Sequence, residues 1–341
     1  MADRATYTRL ARAGAGAGAA ALLLTGMGMA TPAVAATGWS AQRAAAQTLR
    51  AITFADANRG WAVGDLGTII ATVDGGVTWV PQRSGTSMDL RAVSFTNAST
   101  GWTVGAGSTI LATHDGGTTW SSEVAGVTTD FAPYYTLKAV SFLDDLHGLA
   151  GGNSSYLQTT TDGGATWTQL ESSGHGCSSV SDFTGIQFID AQHAVGVGGH
   201  PSGITCRTAD GGQTWTATAL GSLGLSSPVF GPSFVDAQNG WAVSGSYAIS
   251  TADGGATWTL HGVRGAEQLR AVTFVDARTG WIVGDGGAIF ATHNGGQSWN
   301  QVSSGTTADL LSAFGATSGR AWAAGASGTI TSAGRHGPAI R

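Results

Sequence analysis

The sequence predicts an all-β fold, a seven-bladed β-propeller of four-stranded blades whose ring is closed by the N-terminal strand joining the last blade. Three observations carry this: a box repeated six times, a second motif repeated seven times, and an unusual composition. Of 341 residues 54 are Gly and 12 are Trp, while charged residues are only 11%. Short strands joined by tight turns need that balance; long helices do not.

The box is Thr72-Val73-Asp74-Gly75-Gly76-Val77-Thr78-Trp79. It recurs with Asp115 and Trp120, Asp162 and Trp167, Asp210 and Trp215, Asp253 and Trp258, and Asn294 and Trp299. The tryptophans are 41, 47, 48, 43 and 41 residues apart, a period that marks a repeat architecture. Box chemistry is structural. The carboxylate caps turn amides, the Gly pair supplies backbone angles other residues avoid, and the Trp anchors the turn. One acid per box, replaced by Asn294 in the sixth, is too little charge for a hard cation, and neither a metal nor a cofactor is expected.

Upstream of each box lies Leu49-Arg50-Ala51-Ile52-Thr53-Phe54, then Asp56, then Gly60-Trp61-Ala62-Val63-Gly64. It returns around Phe95, Phe142, Phe188, Phe234, Phe274 and Phe314, giving seven copies against six boxes. The missing piece lies at the other end: Thr37-Gly38-Trp39-Ser40 looks like the tail of a box, 40 residues ahead of Trp79. Each unit reads as four strands, with strand one ending in the Phe, strand two at Gly-Trp, strand three before the box and strand four starting at the box Trp. Sharing one blade between the two ends of the chain removes an exposed edge.

Residues 1–35 read as a signal peptide: Arg4, Arg9 and Arg12, an apolar run from Ala13 to Ala30, and the cleavage signal Ala33-Val34-Ala35. The propeller spans 36–334, with 335–341 a C-terminal tail. Cleavage removes three Arg and Asp3, leaving 13 basic and 20 acidic residues, a net charge of −7. The expected product is a secreted, extracytoplasmic monomer. Its negative charge and single lysine, Lys138, argue against nucleic acid as partner. The only cysteines, Cys177 and Cys206, are expected to pair outside the cytoplasm.

The pattern F-x-D-x3-G-W-x-V-G followed by T-x-D-G-G-x-T-W resembles the photosystem II stability/assembly factor-like propellers of the BNR/Asp-box superfamily, which includes sialidases. The resemblance covers about Thr37 to Ser332. It implies a seven-bladed propeller exported across a membrane. In photosynthetic organisms such proteins help assemble the photosystem II reaction centre by binding a core subunit. It also implies a basic patch on one face. Four residues ahead of each strand-one Phe stand Arg50, Arg91, Lys138 and Arg270, with Thr184, Phe230 and Leu310 in the other blades. This arc suits an acidic peptide or carboxylate, or else holds locally paired charges. Long inter-blade connections on the same face bring Phe131, Tyr134 and Tyr135 as candidate anchors. The expected function is therefore a non-catalytic module that binds an exported or membrane protein, or a peptide.

The rival reading is a sialidase-like glycosidase or a glycan-binding protein. Sialidases need an arginine triad, a Tyr–Glu nucleophile pair and an acid/base Asp. No Arg-Ile-Pro motif precedes the boxes, and Glu123, Glu171 and Glu267 are the only glutamates. Carboxylates such as Asp56, Asp144, Asp190, Asp236 and Asp276 recur with the repeat and read as turn caps. Asp65 and Asp285, in Gly-Asp-x-Gly turns, read as turn residues.

Overall fold

Gly and Asp punctuation cuts the chain into twenty-eight short strands among the residues that the computed structural model describes, 38–123, 135–170, 176–177, 179–199 and 202–334. They form seven four-stranded antiparallel sheets. Blade 1 is β2 (Leu49–Phe54), β3 (Gly60–Gly64), β4 (Ile69–Thr72) and β5 (Val80–Gln82). Blades 2 to 6 run β6 (Leu90–Phe95) to β9 (Ser121–Ser122), β10 (Leu137–Phe142) to β13 (Thr168–Gln169), β14 (Phe183–Phe188) to β17 (Thr216–Ala219), β18 (Phe230–Phe234) to β21 (Thr259–Gly262), and β22 (Leu269–Phe274) to β25 (Asn300–Val302). In blades 1 to 6 strand four begins one residue after the box Trp, not on it, while in blade 7 it begins on Trp39.

Blade 7 joins the two ends of the described chain. β26 (Leu310–Thr317), β27 (Arg320–Gly325) and β28 (Thr329–Ala333) are completed by β1 (Trp39–Arg43), with Trp39 opposite Ala333 and Arg43 opposite Thr329. The innermost strand of each blade packs on the next, and β26 closes on β2. Strand-one hydroxyls tie these neighbours: Ser94 accepts from Phe142 N at 3.1 Å, Ser233 from Phe274 N at 2.8 Å, and Ser312 from Ile52 N at 3.3 Å. β26 departs from the repeat. It is eight residues long, adds a second register shift to the one every strand one has near its start, and holds its Phe one residue early, so Gly315, not Phe314, pairs with strand two as Phe54 pairs with Gly60.

Aromatic rivets lock blade to blade. Trp102 of blade 2 stacks on Phe142 of blade 3 at 3.4 Å and donates from Nε1 to Gly163 O of that blade's box at 2.8 Å. Trp61 does the same with Phe95 and Gly116 O, and Trp322 with Phe54 and Gly75 O across the closure. The box Trp then meets the same Phe edge-on, as in Phe142–Trp167 at 5.8 Å. Stacked and edge-to-face pairs add about 0.5–1.5 kcal/mol each beyond their buried area. The Phe ring leaves no room at the start of strand two: a Cβ on Gly60 would lie 2.5 Å from Phe54.

Each box closes on itself. In the third, Asp162 Oδ1 accepts from Thr166 N at 2.9 Å and Thr160 Oγ1 at 2.8 Å, and Oδ2 from Thr166 Oγ1 at 2.5 Å. Hydrogen bonds from Thr166, and from Thr214 in the next box, hold Asp162 and Asp210 at about 2. Gly75 and Gly76 adopt φ of +73° and +87°, the left-handed region the turn requires. Each box also donates to the neighbouring hairpin, Gly75 N to Asn58 O at 2.8 Å. Boxes and the turns between strands one and two thus share one face. The turns between strands two and three share the other with the inter-blade connections, as Asp65 N to Thr48 O at 3.0 Å shows.

Candidate functional site

One side chain near the start of every innermost strand faces the axis, the second residue in six blades and the first of β18 in blade 5. Seven such side chains, one per blade, line a single central cavity of about 200 Å³: Arg50, Arg91, Lys138, Thr184, Phe230, Arg270 and Leu311. All four predicted basic residues are therefore brought together. The blade 7 counterpart is corrected from Leu310, which is fully buried, to Leu311, because Phe314 stands one residue ahead of the strand-one Phe position, which Gly315 holds.

None of the four cations is free. Arg50 binds Asp65 through two bonds, Nε to Oδ1 at 2.7 Å and Nη2 to Oδ2 at 3.0 Å. Arg270 binds Asp285 in the same way at 2.7 and 2.8 Å. This hydrogen bond raises Arg270 above the ordinary arginine range. Lys138 reaches across a blade boundary to Asp182 at 2.6 Å, and Arg91 binds Asp89 at 2.9 Å. Asp65 and Asp285 are thus both turn residues and ion-pair partners. Asp89 Oδ1 also accepts Leu66 N at 3.0 Å, and Asp309 accepts Gly286 N at 2.8 Å, so acids from one blade cap the turn of its neighbour.

The arrangement is a preorganised charged collar rather than a bare basic arc. Each pair is about one-third exposed, where an ion pair contributes roughly 0–1 kcal/mol and exchanges partners readily. Two atoms keep unused capacity: Arg91 Nε and Asp182 Oδ1 are buried with no hydrogen-bond partner among the described residues. Locally paired charges, the alternative the sequence left open, are what the structure shows; which acids pair was missed, although a signal existed. Arg and Asp stand 15 residues apart in both blade 1 and blade 6, as Arg50/Asp65 and Arg270/Asp285.

The aromatic anchors stand differently. Tyr135 stacks on buried Tyr156 at 4.9 Å, and its carbonyl accepts Ser108 N, so it packs the blade 2–blade 3 junction. Phe131 and Tyr134 lie outside the described residues. Cys177 and Cys206 form the expected disulfide, with Cα atoms 5.9 Å apart, tying the third inter-blade connection to blade 4. Among the described residues no group of three or more His, Cys, Asp and Glu is placed to hold a metal, and no helix is long and apolar enough to cross a membrane.

A ring of seven blades, six of them closed by the repeated box, around a charged axial cavity defines an Asp-box propeller. The profile of the family described as Photosynthesis system II assembly factor YCF48 matches residues 31–122, 82–229 and 221–309. The chain belongs to this family. Comparison with curated protein sequences gives no significant match. Among solved structures it is similar to one described as YCF48 bound to D1 peptide, with a TM-score of 0.70 and 21% identity over 89% of this chain and 99% of that one. YCF48 from Cyanidioschyzon merolae gives 0.70 and 20% over 87% and 99%. The WD40 propeller domain of Doa1 gives 0.66 and 11% over 87% and 97%.

Proposed function

We propose that this chain is an exported, non-catalytic, assembly-factor-like propeller that binds a protein segment or peptide at the mouth of its central cavity. One observation carries the reading: four cationic side chains from blades 6, 1, 2 and 3 converge on one cavity. A family relative described as bound to D1 peptide supports it. The Asp partners hold the guanidinium planes in place before binding, which lowers the ordering cost when a ligand carboxylate exchanges with them. Neutralising Arg50, Arg91, Lys138 and Arg270 to Gln should weaken binding of acidic decapeptides, the D1 peptide among them, by about tenfold or more, since desolvated charged contacts are worth several kcal/mol. Unchanged affinity in a variant that still folds would refute the reading.

The glycosidase or glycan-binding alternative draws on the same mouth, because carboxylates there face arginines. Both oxygens of Asp65 and of Asp285 are taken by a guanidinium, which leaves neither disposed as a general acid or base. Turnover of a fluorogenic sialoside by the purified protein would overturn the non-catalytic reading. Export predicts an extracytoplasmic protein beginning near Ala36, and N-terminal sequencing of the secreted product tests it.

A further inference from the structure

Five blades carry the same cross-strand pair where one blade meets the next, a strand-two Trp opposite a small strand-three residue. Trp61 stands opposite Ala71, Trp102 opposite Ala112, Trp241 opposite Ser250, Trp281 opposite Ala291 and Trp322 opposite Ser332. Blade 3 keeps the order of sizes, with Leu149 opposite Thr159. Blade 4 reverses it: Val195 stands opposite Arg207. A cation thus occupies a position that holds Ala, Ser or Thr in the other six blades. The reversal also removes a bond. In blades 1, 2 and 7 the indole donates to the carbonyl of the first box Gly of the next blade. Val195 has no donor to offer the counterpart, Gly254.

Between Val195 of blade 4 and Gly254 of blade 5 lies a cleft of about 190 Å³. Box residues and the turns between strands one and two line it, which places it on the face opposite the collar acids. Ile189 and Val195 give it apolar walls, and Arg207 and His193 give it polar ones. Arg207 Nε is buried with no hydrogen-bond partner, and the guanidinium makes no ion pair. Among the described residues no other arginine combines the two. The nearby acids are already committed. Asp253, in the cleft wall, accepts from Thr257 N at 2.9 Å, Thr257 Oγ1 at 2.7 Å and Thr251 Oγ1 at 2.8 Å. Asp210 is held in the same way by Thr214 and Thr208, and Asp236 by Gln238 N and Asn239 N. Asp190 binds His193 Nδ1 at 2.8 and 3.0 Å, which leaves Nε2 as the ring nitrogen for a ligand.

A buried donor left unmet is costly, and a ligand that brings an acceptor recovers the cost. We propose that this cleft binds a small organic monocarboxylate, its charged end on the Arg207 fork and its apolar body against Ile189 and Val195. The planar guanidinium matches a carboxylate in geometry as well as charge. A single cation between Asp253 and the Asp190–His193 pair suits a single negative charge, whereas a phosphate dianion would face carboxylates with too little positive charge to offset them. The volume falls below the roughly 300–1,000 Å³ of sites for drug-sized ligands, which limits the body to one small ring or a short branched chain. The site is separate from the axial cavity and does not depend on the peptide-binding reading.

Benzoate is the probe, followed by saturation-transfer NMR. The protein is the mature propeller with Arg50, Arg91, Lys138 and Arg270 changed to Gln, so that the collar cannot supply the binding. Saturable binding at about 1 mM is expected for a ligand of this size. Arg207→Gln should weaken it about tenfold or more, and benzamide, alike in shape but uncharged, should bind the parent pocket as poorly. Val195→Trp with Arg207→Ala gives blade 4 the Trp–Ala pair of blades 1, 2 and 6 and should abolish binding; if circular dichroism shows that variant unfolded, Arg207→Gln alone decides. Absence of saturable binding up to about ten times the expected concentration would overturn the proposal, as would equal affinity of benzoate for the Arg207→Gln variant. Displacement of benzoate by an equal concentration of inorganic phosphate, or by the acidic decapeptides, would also overturn it by assigning Arg207 to another class of anion.

Discussion

Replacing Trp102 with Leu should loosen blade 2 from blade 3 while leaving both sheets intact. Leu is acceptable to the backbone, because Leu149 holds the same register position in blade 3, opposite Thr159 as Trp102 stands opposite Ala112. The loss has three parts. Trp102 is fully buried, its ring stacks on Phe142 at 3.4 Å, and Nε1 donates to Gly163 O at 2.8 Å. The stack is worth about 0.5–1.5 kcal/mol and the hydrogen bond about the same. The vacated indole volume adds roughly another 1–2 kcal/mol. The total is about 3 kcal/mol, which at a urea slope of about 3 kcal/mol/M lowers the unfolding midpoint by about 1 M. Trp241→Leu is the control, because Trp241 is half-buried and its ring lies 5.4 Å from Phe274. Its midpoint should fall by less than half as much. Equal shifts for the two variants, or none for Trp102→Leu, would show that the inter-blade stack does not hold the ring.

Acid should unfold the protein through its boxes. Asp162 and Asp210 drop from 3.8 to about 2, so their stabilisation is complete above about pH 4 and disappears as pH falls to about 2. Asp162→Asn with Asp210→Asn should flatten that limb of a stability–pH curve, as Asn294 does naturally in the sixth box. Asp65→Asn with Asp285→Asn should free Arg50 and Arg270, tightening acidic-peptide binding and steepening its salt dependence, with stability changed by less than about 1 kcal/mol; isothermal titration at two salt concentrations reads this directly. Cys177→Ala with Cys206→Ala opens a loop spanning 29 residues and should cost about 3–4 kcal/mol in the chain-entropy description. A melting curve that reduction leaves unmoved would contradict it.

Much of this molecule was legible because it repeats. Six boxes and seven strand-one motifs fixed blade number, strand order and the role of Trp39 in closing the ring, each copy correcting noise in the others. Legibility failed where the repeat itself slips. The Phe of β26 stands one residue early, so the channel position falls on Leu311 and the strand-one ring position on Gly315. It failed again where a contact crosses a turn or a blade. Nothing local to Lys138 names Asp182 as its partner, 44 residues on. The charged collar was therefore visible only in its basic half. Arg50 and Arg270 stand on strands, a pattern sequence exposes, while their acids sit in turns that have ordinary reasons to contain Asp.

A ring of near-equivalent blades changes what counts as a functional signal. A residue that recurs from blade to blade, such as the Asp of five boxes or the strand-one Phe of six blades, answers to the needs of the ring, since the box copies make the same bonds. Function has to be sought where equivalent positions differ. Two such departures stand out and differ in kind. Around the axis, cations occupy four of seven equivalent positions, each held by an acid, which suits a site that exchanges partners without collapsing. In blade 1, Leu66, Val73, Val77, Val80 and Met88 are exposed where blade 6 carries Gly286, His293, Gln297, Asn300 and Ala308. The near-identity of blades 1 and 6 removes backbone geometry as an explanation, because one frame supports both sets of side chains.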